Sequence, residues 1–285
     1  MARELDEIRL RVSRPFLQGR GLEIGPGVFP QPVPSGVERL CFDLRTRAEL
    51  AELFQVSEDK VPMVVPLDHI RKEFPQGADF LIAHQVLEHA PNPIGTLVEW
   101  HRLVRTGGHM VISLPDLRYC DDKERVVATL EHLLMDYLLD RGERAFESRE
   151  HVYSFMFGWN DSGFHRGINK QQLVASAHMN ANADTNDLHW HAFNRNLGLK
   201  VILAAAMFDR KSVEIHAIAT PDEPGDRRTQ GDLIYVYRLM EEKDGSASPS
   251  DYAEFIDEVA TIERRYTGAL ARLRAVIPRC CTPIG

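Results

Sequence analysis

Short apolar runs alternate with amphipathic segments through the first 115 residues of the chain. Apolar runs that are typical of strands cover residues 22–24, 37–42, 63–65, 79–83 and 109–114. Residues 46–54 and 94–104 instead repeat apolar positions at spacings of three and four, which is typical of helices. Strands that alternate with helices predict an α/β protein with a doubly wound, mostly parallel sheet.

The pattern changes after residue 116. We expect a helix over 129–141, a polar and aromatic stretch over 142–168 and another helix over 169–182, and interpret 117–187 as a helical and aromatic insertion that covers the site. An extended segment at 188–193 and strand or helix–strand elements at 200–206 and 212–219 come next, with a final edge strand at 233–238. The predicted main domain is 1–240, residues 241–250 form a polar linker, and 251–285 form a C-terminal helix. The apolar stripe of that helix favours docking on the domain or self-association almost equally.

Composition excludes several classes of protein. The 285 residues are 44% hydrophobic, enough for a sizeable core, and the net charge of −8 argues against a protein that wraps nucleic acid. No apolar stretch is long enough to span a bilayer, and the charged start lacks a signal core. The four cysteines form no CxxC pair, so we expect reduced thiols and a cytoplasmic location.

A glycine turn follows the first strand. Glu23 ends a short apolar run, and Gly25 and Gly27 allow a sharp turn and close approach of a ligand to the backbone. Three prolines follow within 30–34 and exclude the helix that usually begins there. Asp43, about 20 residues after Glu23, ends the second predicted strand, where a carboxylate is expected to accept hydrogen bonds from ribose hydroxyls; a helix-capping role is the alternative.

Two further motifs make the pattern more specific. Leu87-Glu88-His89 follows the fourth predicted strand, and Gly107-Gly108 precedes the fifth. With the glycine turn and Asp43, these resemble class I S-adenosylmethionine-dependent methyltransferases of the type 11 branch, in a subgroup associated with sugar-transferring enzymes. The resemblance covers about residues 18–240 and implies a Rossmann-like methyltransferase sheet. Phe29 stands where the family pattern has its third glycine.

The resemblance implies a set of contacts to S-adenosylmethionine. Gly25 and Gly27 would pass the methionine part, and Glu23 would orient that turn or meet the amino group. Asp43 would hold the ribose hydroxyls. The remaining implied contacts are Leu44 against the adenine, Asp68 and His69 at its edge, and Ala83, His84 and Gln85 beneath the sulfonium. Leu87-Glu88-His89 itself favours a structural role at the strand-to-helix turn.

Histidine is the natural general base for a hydroxyl acceptor, because its pKa lies near neutrality. The candidates for catalysis are His189, His191 and His165, with Asp161 or Glu150 to orient a base. His189 and His191 alternate on one face of an extended segment; a structural pair is the equal alternative. No convincing metal site is evident. Asp121-Asp122 is the best carboxylate pair, and a solvated turn is the favoured interpretation of it.

We therefore expect an S-adenosylmethionine-dependent methyltransferase that methylates a hydroxyl of a saccharide or related small metabolite. The expected partners are that acceptor and a second copy of the chain, a homodimer through 251–277, with no nucleic acid. The alternative is a non-catalytic module that keeps the fold and acts in assembly through its C-terminal helix. A nicotinamide dehydrogenase fits poorly, since the turn lacks the third glycine of that family's motif.

Overall fold

A computed structural model of the protein describes most of the predicted sheet domain and parts of the later chain. The described residues are 2–120, 122–123, 125–138, 189–221 and 231–241, with residues 255, 257, 260, 261 and 264. The chain divides into two compact units. The first comprises Met1–Leu87, Glu99–Leu114 and Glu214–Met240, and the second comprises Glu88–Val98, Pro115–Val213 and Glu241–Gly285.

Strands and helices alternate along the described chain as the sequence pattern predicts. The strands are β1 (Arg20–Ile24), β2 (Glu38–Phe42), β3 (Ala78–His84), β4 (Val104–Pro115), β5 (Lys211–Ala219) and β6 (Asp232–Glu241). The helices are α1 (Ala2–Ser13), α2 (Arg47–Phe54), α3 (Leu67–Glu73), α4 (Pro93–Arg102), α5 (Leu130–Leu138) and α6 (Arg195–Phe208). Short 3₁₀ turns cover Arg14–Phe16, Glu58–Lys60 and Leu87–His89.

Local side-chain caps explain where several helices begin. The Thr46 hydroxyl accepts a hydrogen bond from the Glu49 amide while the Glu49 carboxylate accepts one from the Thr46 amide, so α2 starts with a capping box. Asn194 caps α6 by accepting from the Leu197 amide at 2.9 Å. These caps satisfy amides that have no partner within the helix.

One six-stranded sheet has the strand order β2-β1-β3-β4-β6-β5. Strand β1 is parallel to both β2 and β3, and β3 is parallel to β4. Strand β2 therefore pairs with one edge of β1, and the chain then crosses over so that β3 pairs with the opposite edge of β1. This order confirms the predicted doubly wound, mostly parallel, Rossmann-like fold, and it creates a topological switch point between β1 and β3.

The prediction that 233–238 forms an edge strand is wrong. Strand β6 lies between β4 and β5, so the edge on that side is β5. Burial explains the order: the first six residues of β6 are all buried, whereas β5 carries exposed residues at Glu214 and His216. A continuous apolar run is typical of an interior strand.

Other predicted elements are placed more narrowly by the structure. The expected strand at 63–65 is reduced to an isolated parallel bridge between Val64 and Cys41. Residues 200–206 lie entirely within α6. The expected extended segment at 188–193 contributes a parallel bridge from Phe193 to Asp116.

One buried apolar cluster of the first unit includes residues of several strands. Phe80 and Ile82 of β3, Val111 of β4 and the apolar residues Ile234 and Val236 of β6 pack together in a buried cluster. Ile8 of α1 and Leu17 belong to the same cluster. The N-terminal helix is therefore part of the core and contributes apolar burial to its stability.

Most of the predicted insertion, of the linker and of the C-terminal helix lies outside the described residues. Glu241, the first residue of the predicted linker, is the last residue of β6. Phe255, which is described, is 1% exposed and helical. No helix in the part of the chain that the structure describes has the length and apolar character needed to cross a membrane.

Candidate functional site

The glycine turn lies at the carboxyl end of β1, beside the switch point. Gly25 and Gly27 both adopt left-handed backbone conformations, with φ of +63° and +54°, which only glycine adopts without cost. The Gly25 amide donates to the carbonyl of Phe42 at 2.8 Å. A side chain at Gly25 would lie 2.7 Å from a methyl group of Val86, so the turn requires glycine for space as well as for conformation.

Asp43 follows β2 directly, next to the glycine turn. Its carboxylate accepts a hydrogen bond from the Gly27 amide at 3.4 Å and another from the Arg45 amide at 3.1 Å. The side chain is half-buried. A carboxylate is therefore present at the carboxyl end of the strand that neighbours β1, which is the position that binds a ribose in nucleotide-type folds.

Glu23 binds the proline-containing loop that follows the glycine turn, where a helix usually begins. This carboxylate is 2% exposed; it forms an ion pair with Arg39 at 2.7 Å and accepts from the Gln31 amide at 2.8 Å. Gln31 lies between two prolines, which have no backbone N–H group. The backbone amide of Gln31 is therefore the main-chain donor of this tripeptide. The ion pair and the amide bond tie the proline-containing loop to β1 and β2.

Gln31 is the residue of this loop that the sequence prediction missed. Its side chain is buried, donates to the Ser13 hydroxyl at 3.1 Å and contacts Nε2 of His84, while its carbonyl accepts from Arg39. Through its backbone and side chain together, Gln31 thus forms hydrogen bonds to residues of α1, β1, β2 and β3. The signal in the sequence is a single polar residue flanked by prolines in an otherwise apolar loop.

The end of β3 forms the other side of the switch point. His84 is bonded to the Ser113 hydroxyl at 2.9 Å through Nδ1, and burial lowers the pKa of His84 well below its usual value, so the ring is neutral. Gln85 adopts φ of +54°, a rare conformation for a residue with a side chain. Its side-chain amide donates to Asp232 at 2.8 Å, and Asp232 also pairs with Arg9 at 2.8 Å.

The remaining residues implied for the cofactor lie on the first unit. Leu44 is 76% exposed. Asp68 and His69 are accessible in the first turn of α3, and Ala83 is buried within β3. The structure thus brings Gly25, Gly27 and Asp43 together, and places Ala83, His84 and Gln85 at the neighbouring strand end.

In the second unit, His189 is held by a buried carboxylate. His189 Nδ1 lies 2.7 Å from Asp122 Oδ2, and the Asp122 side chain is fully buried. Arg125 donates to Asp122 Oδ1 at 2.9 Å and to the carbonyl of His189 at 2.7 Å. The prediction of a solvated turn at Asp122 is therefore wrong, because this carboxylate is enclosed by a histidine and an arginine; Asp121 lies outside the described residues.

The contact between Asp122 and His189 shifts the pKa of each group toward its charged form. Burial alone would raise the pKa of Asp122, but the hydrogen bond and charge of His189, with the charge of Arg125, outweigh it and lower that pKa. Burial alone would lower the pKa of His189, but Asp122 and the charge of Glu88 outweigh it and raise that pKa. His189 is therefore a basic imidazole whose Nδ1 is fixed by a carboxylate.

His191 has a different partner. It is 2% exposed, its Nε2 lies 3.4 Å from Asp136 Oδ2, and burial lowers its pKa. The structure thus assigns His189 and His191 to two separate carboxylates. His165, the third candidate, lies outside the described residues, as do Asp161 and Glu150.

Two groups of side chains in the described chain combine two imidazoles with one carboxylate. One is Glu88, His89 and His189, and the other is His132, Asp136 and His191; within each, the atoms that could bind a metal lie within 4.8 Å of one another. The sequence prediction found neither group, because the third member of each, His189 or His191, is distant along the chain from the other two.

Comparison with known proteins gives likenesses in structure alone. No protein-family model matches the sequence, and no curated protein matches it. An S-adenosylmethionine-dependent methyltransferase from Mesorhizobium loti aligns over 82% of this chain and 97% of its own, with 13% identity and a TM-score of 0.43. The trans-methyltransferase CalH in complex with SAH aligns over 83% of this chain and 55% of its own, with 14% identity and a TM-score of 0.40. The CurJ carbon methyltransferase aligns over 83% of this chain and 54% of its own, with 15% identity and a TM-score of 0.39. The Rossmann-like fold of this chain is established by its own strand order.

Proposed function

We propose that the protein is an S-adenosylmethionine-dependent methyltransferase. The observation that carries the proposal is the arrangement at the switch point: two left-handed glycines after β1, a carboxylate that contacts the second glycine's amide from the end of β2, and the strained Gln85 after β3. Doubly wound folds bind nucleotide-type ligands at this position. Residues in rare backbone conformations concentrate at such sites.

The residues present suit this cofactor chemically. Asp43 offers two carboxylate oxygens to a ribose diol, and its two amide donors hold it in place. Gly25 and Gly27 expose backbone to an amino acid moiety. Leu44 offers exposed apolar surface to an adenine, and Asp68 and His69 offer polar groups to its edge. When bound, S-adenosylmethionine supplies an electrophilic methyl group; the chain's residues hold it and position an acceptor.

The preferred acceptor is a hydroxyl, with His189 as general base. Its Nδ1 is bonded to Asp122, as a carboxylate orients the imidazole in a catalytic triad, and in this proposal Nε2 takes the acceptor's proton. His191 is nearly fully buried and engaged with Asp136. We therefore favour His189 over His191 as the general base. A saccharide or related small metabolite follows from the sequence resemblance.

Isotope transfer tests activity and acceptor class together. A cell extract is incubated with the protein and S-adenosylmethionine that carries a labelled methyl group, and products are identified by mass spectrometry. We expect a labelled O-methyl product whose yield falls about 100-fold or more in His189→Gln, as is typical for loss of a general base. His216→Gln, a substitution at an exposed histidine of β5, is the matched control and should keep the yield.

Cofactor titration separates the two parts of the proposal. His189→Gln and Asp122→Asn should bind S-adenosylmethionine as the unmodified protein does, while losing turnover. Full turnover in His189→Gln would end the base assignment but leave the cofactor proposal standing. Absence of any labelled product from a protein that binds the cofactor would favour the alternative of a non-catalytic assembly module.

A homodimer through 251–277 remains part of the proposal. The apolar stripe of that segment supports it, although Phe255 is buried within a single chain, which accounts for one stripe residue without a partner copy. Sedimentation velocity of the full chain and of Leu273→Glu distinguishes the two cases. A dimer that dissociates in Leu273→Glu is expected; a monomer in both would contradict it.

A further inference from the structure

Helix α5 and the segment after the predicted insertion bring two imidazoles to one carboxylate. His132 and Asp136 lie four residues apart on α5, one helical turn, so their side chains share a face. His191 approaches the same carboxylate from the segment that precedes α6. We propose that His132, Asp136 and His191 bind a divalent transition-metal ion, zinc foremost.

The distances from the carboxylate to each imidazole are compatible with a shared metal ion, and the three candidate ligand atoms all lie within 4.8 Å of one another. Asp136 Oδ2 lies 3.2 Å from His132 Nε2 and 3.4 Å from His191 Nε2. Zinc–ligand bonds of about 2.0–2.1 Å at tetrahedral angles separate neighbouring ligand atoms by about 3.4 Å. A charge-assisted hydrogen bond is shorter, about 2.7–2.9 Å. The same chain contains that shorter contact between His189 and Asp122, at 2.7 Å.

The environment of the carboxylate favours a bound cation. The side chain of Asp136 is fully buried and that of His191 is 1% exposed. Buried carboxyl groups in proteins are paired or coordinate metals. His132 is 32% exposed, which leaves this ligand accessible from solvent.

The backbone around the three side chains is fixed before any ion arrives. The His132 amide donates to the Thr129 hydroxyl at 3.2 Å at the start of α5. On either side of His191, the Trp190 carbonyl accepts from Arg125 and the Ala192 carbonyl accepts from the Ala128 amide at 3.2 Å. A preorganised set of ligands loses little freedom on binding and therefore binds more tightly.

The types of the three ligands point to zinc rather than to magnesium or calcium. Imidazole nitrogen suits zinc, copper, iron and nickel, whereas magnesium and calcium prefer sites made of oxygen. Two ligands spaced i, i+4 on a helix with a third from elsewhere is a common zinc arrangement. Three protein ligands leave a fourth position for water or a further ligand.

The other group, Glu88 with His89 and His189, is the natural control. His189 already gives Nδ1 to Asp122, and we have assigned that imidazole to proton transfer. The metal proposal concerns the α5 group alone, is independent of the methyltransferase proposal, and departs from the sequence expectation of no metal site.

The test measures zinc in the full chain. Protein stripped with EDTA is titrated with zinc against a chromophoric chelator, and the bound metal is counted by mass spectrometry. We expect one zinc ion per chain, with affinity lowered by about 100-fold or more in His191→Gln and in Asp136→Asn, since removal of a ligand exceeds the effect of removing a supporting partner. His89→Gln should retain the ion.

A second variant keeps the test decisive if a buried substitution prevents folding. His132→Gln changes the partly exposed ligand, and its circular dichroism confirms the fold before titration. Cobalt substituted for zinc should give visible d–d absorption in the unmodified chain and lose it in His132→Gln. Absence of micromolar zinc binding by the unmodified chain would overturn the proposal, as would a zinc ion lost in His89→Gln and kept in His132→Gln.

Discussion

Replacing Gly25 with alanine tests the glycine turn on two counts that the structure separates. The backbone at Gly25 has φ of +63°, which costs a residue with a side chain about 1–2 kcal/mol. The new methyl group would also lie 2.7 Å from a Val86 methyl, and such overpacking costs about 1–3 kcal/mol. Gly25→Ala should therefore lower the free energy of unfolding by about 2–5 kcal/mol.

Gly36 provides a matched control. Its φ is +83°, yet no atom lies within 4 Å of an added side-chain carbon. Gly36→Ala therefore carries the conformational cost alone, about 1–2 kcal/mol. The difference between the two variants isolates the clash with Val86.

The double variant Gly25→Ala with Val86→Ala relieves that clash. Urea denaturation followed by circular dichroism should show a favourable coupling of about 1–3 kcal/mol between the two substitutions. S-adenosylmethionine binding should weaken in Gly25→Ala and stay unchanged in Gly36→Ala. Equal destabilisation by the two glycine substitutions, without coupling to Val86, would refute this account of the turn.

Three further predictions concern the first unit. Burial, and next the charge of His216, lowers the pKa of His109 to about 4 from 6.5. Between pH 6.5 and about pH 4 the unfolded chain therefore binds a proton at His109 that the folded chain does not. The free energy of unfolding should fall by about 1–2 kcal/mol as the pH drops from 6.5 to about 4, and His109→Gln should make that decrease smaller. Gln31→Ala should cost about 2–4 kcal/mol because it removes two buried hydrogen bonds. Thr46→Ala removes the capping box with Glu49 and should cost about 1 kcal/mol.

The glutamine and threonine predictions each have an exposed counterpart as control. Gln18→Ala should cost far less than Gln31→Ala, and Thr106→Ala should be nearly neutral. Denaturation at several pH values measures all of them. A pH profile unaltered by His109→Gln, or equal costs for the two glutamine or the two threonine variants, would contradict the respective assignment.

The sheet was predictable because its strands carry their own signal. Short apolar runs predicted β1 to β4 at their approximate positions, and the run of β3 is continuous because a strand buried on both faces leaves little room for polar residues. The place of β6 within the sheet was not predictable in this way. Its apolar run was evident, but which strand becomes its neighbour depends on long-range pairing, and the expectation of an edge strand was wrong.

The glycine turn and Asp43 were predictable from spacing, because both lie directly after strands that are adjacent in the sheet. Gln31 was missed, and Asp122 was wrongly interpreted as a solvated turn, for the opposite reason. Gln31 is satisfied by Ser13 and His84, and Asp122 by His189, 67 residues further along the chain. Local pattern does not reveal partners that only the folded chain brings together.

Calorimetric titration measures whether the chain binds S-adenosylmethionine through the glycine turn and Asp43. Saturable binding to one site per chain is expected. Asp43→Ala should weaken it by about 100-fold or more, since two hydrogen bonds to a charged group contribute about 3 kcal/mol or more. Asp59→Ala, at an exposed carboxylate, should leave the affinity unchanged. No heat of binding to the unmodified chain, or undiminished affinity in Asp43→Ala, would contradict the account.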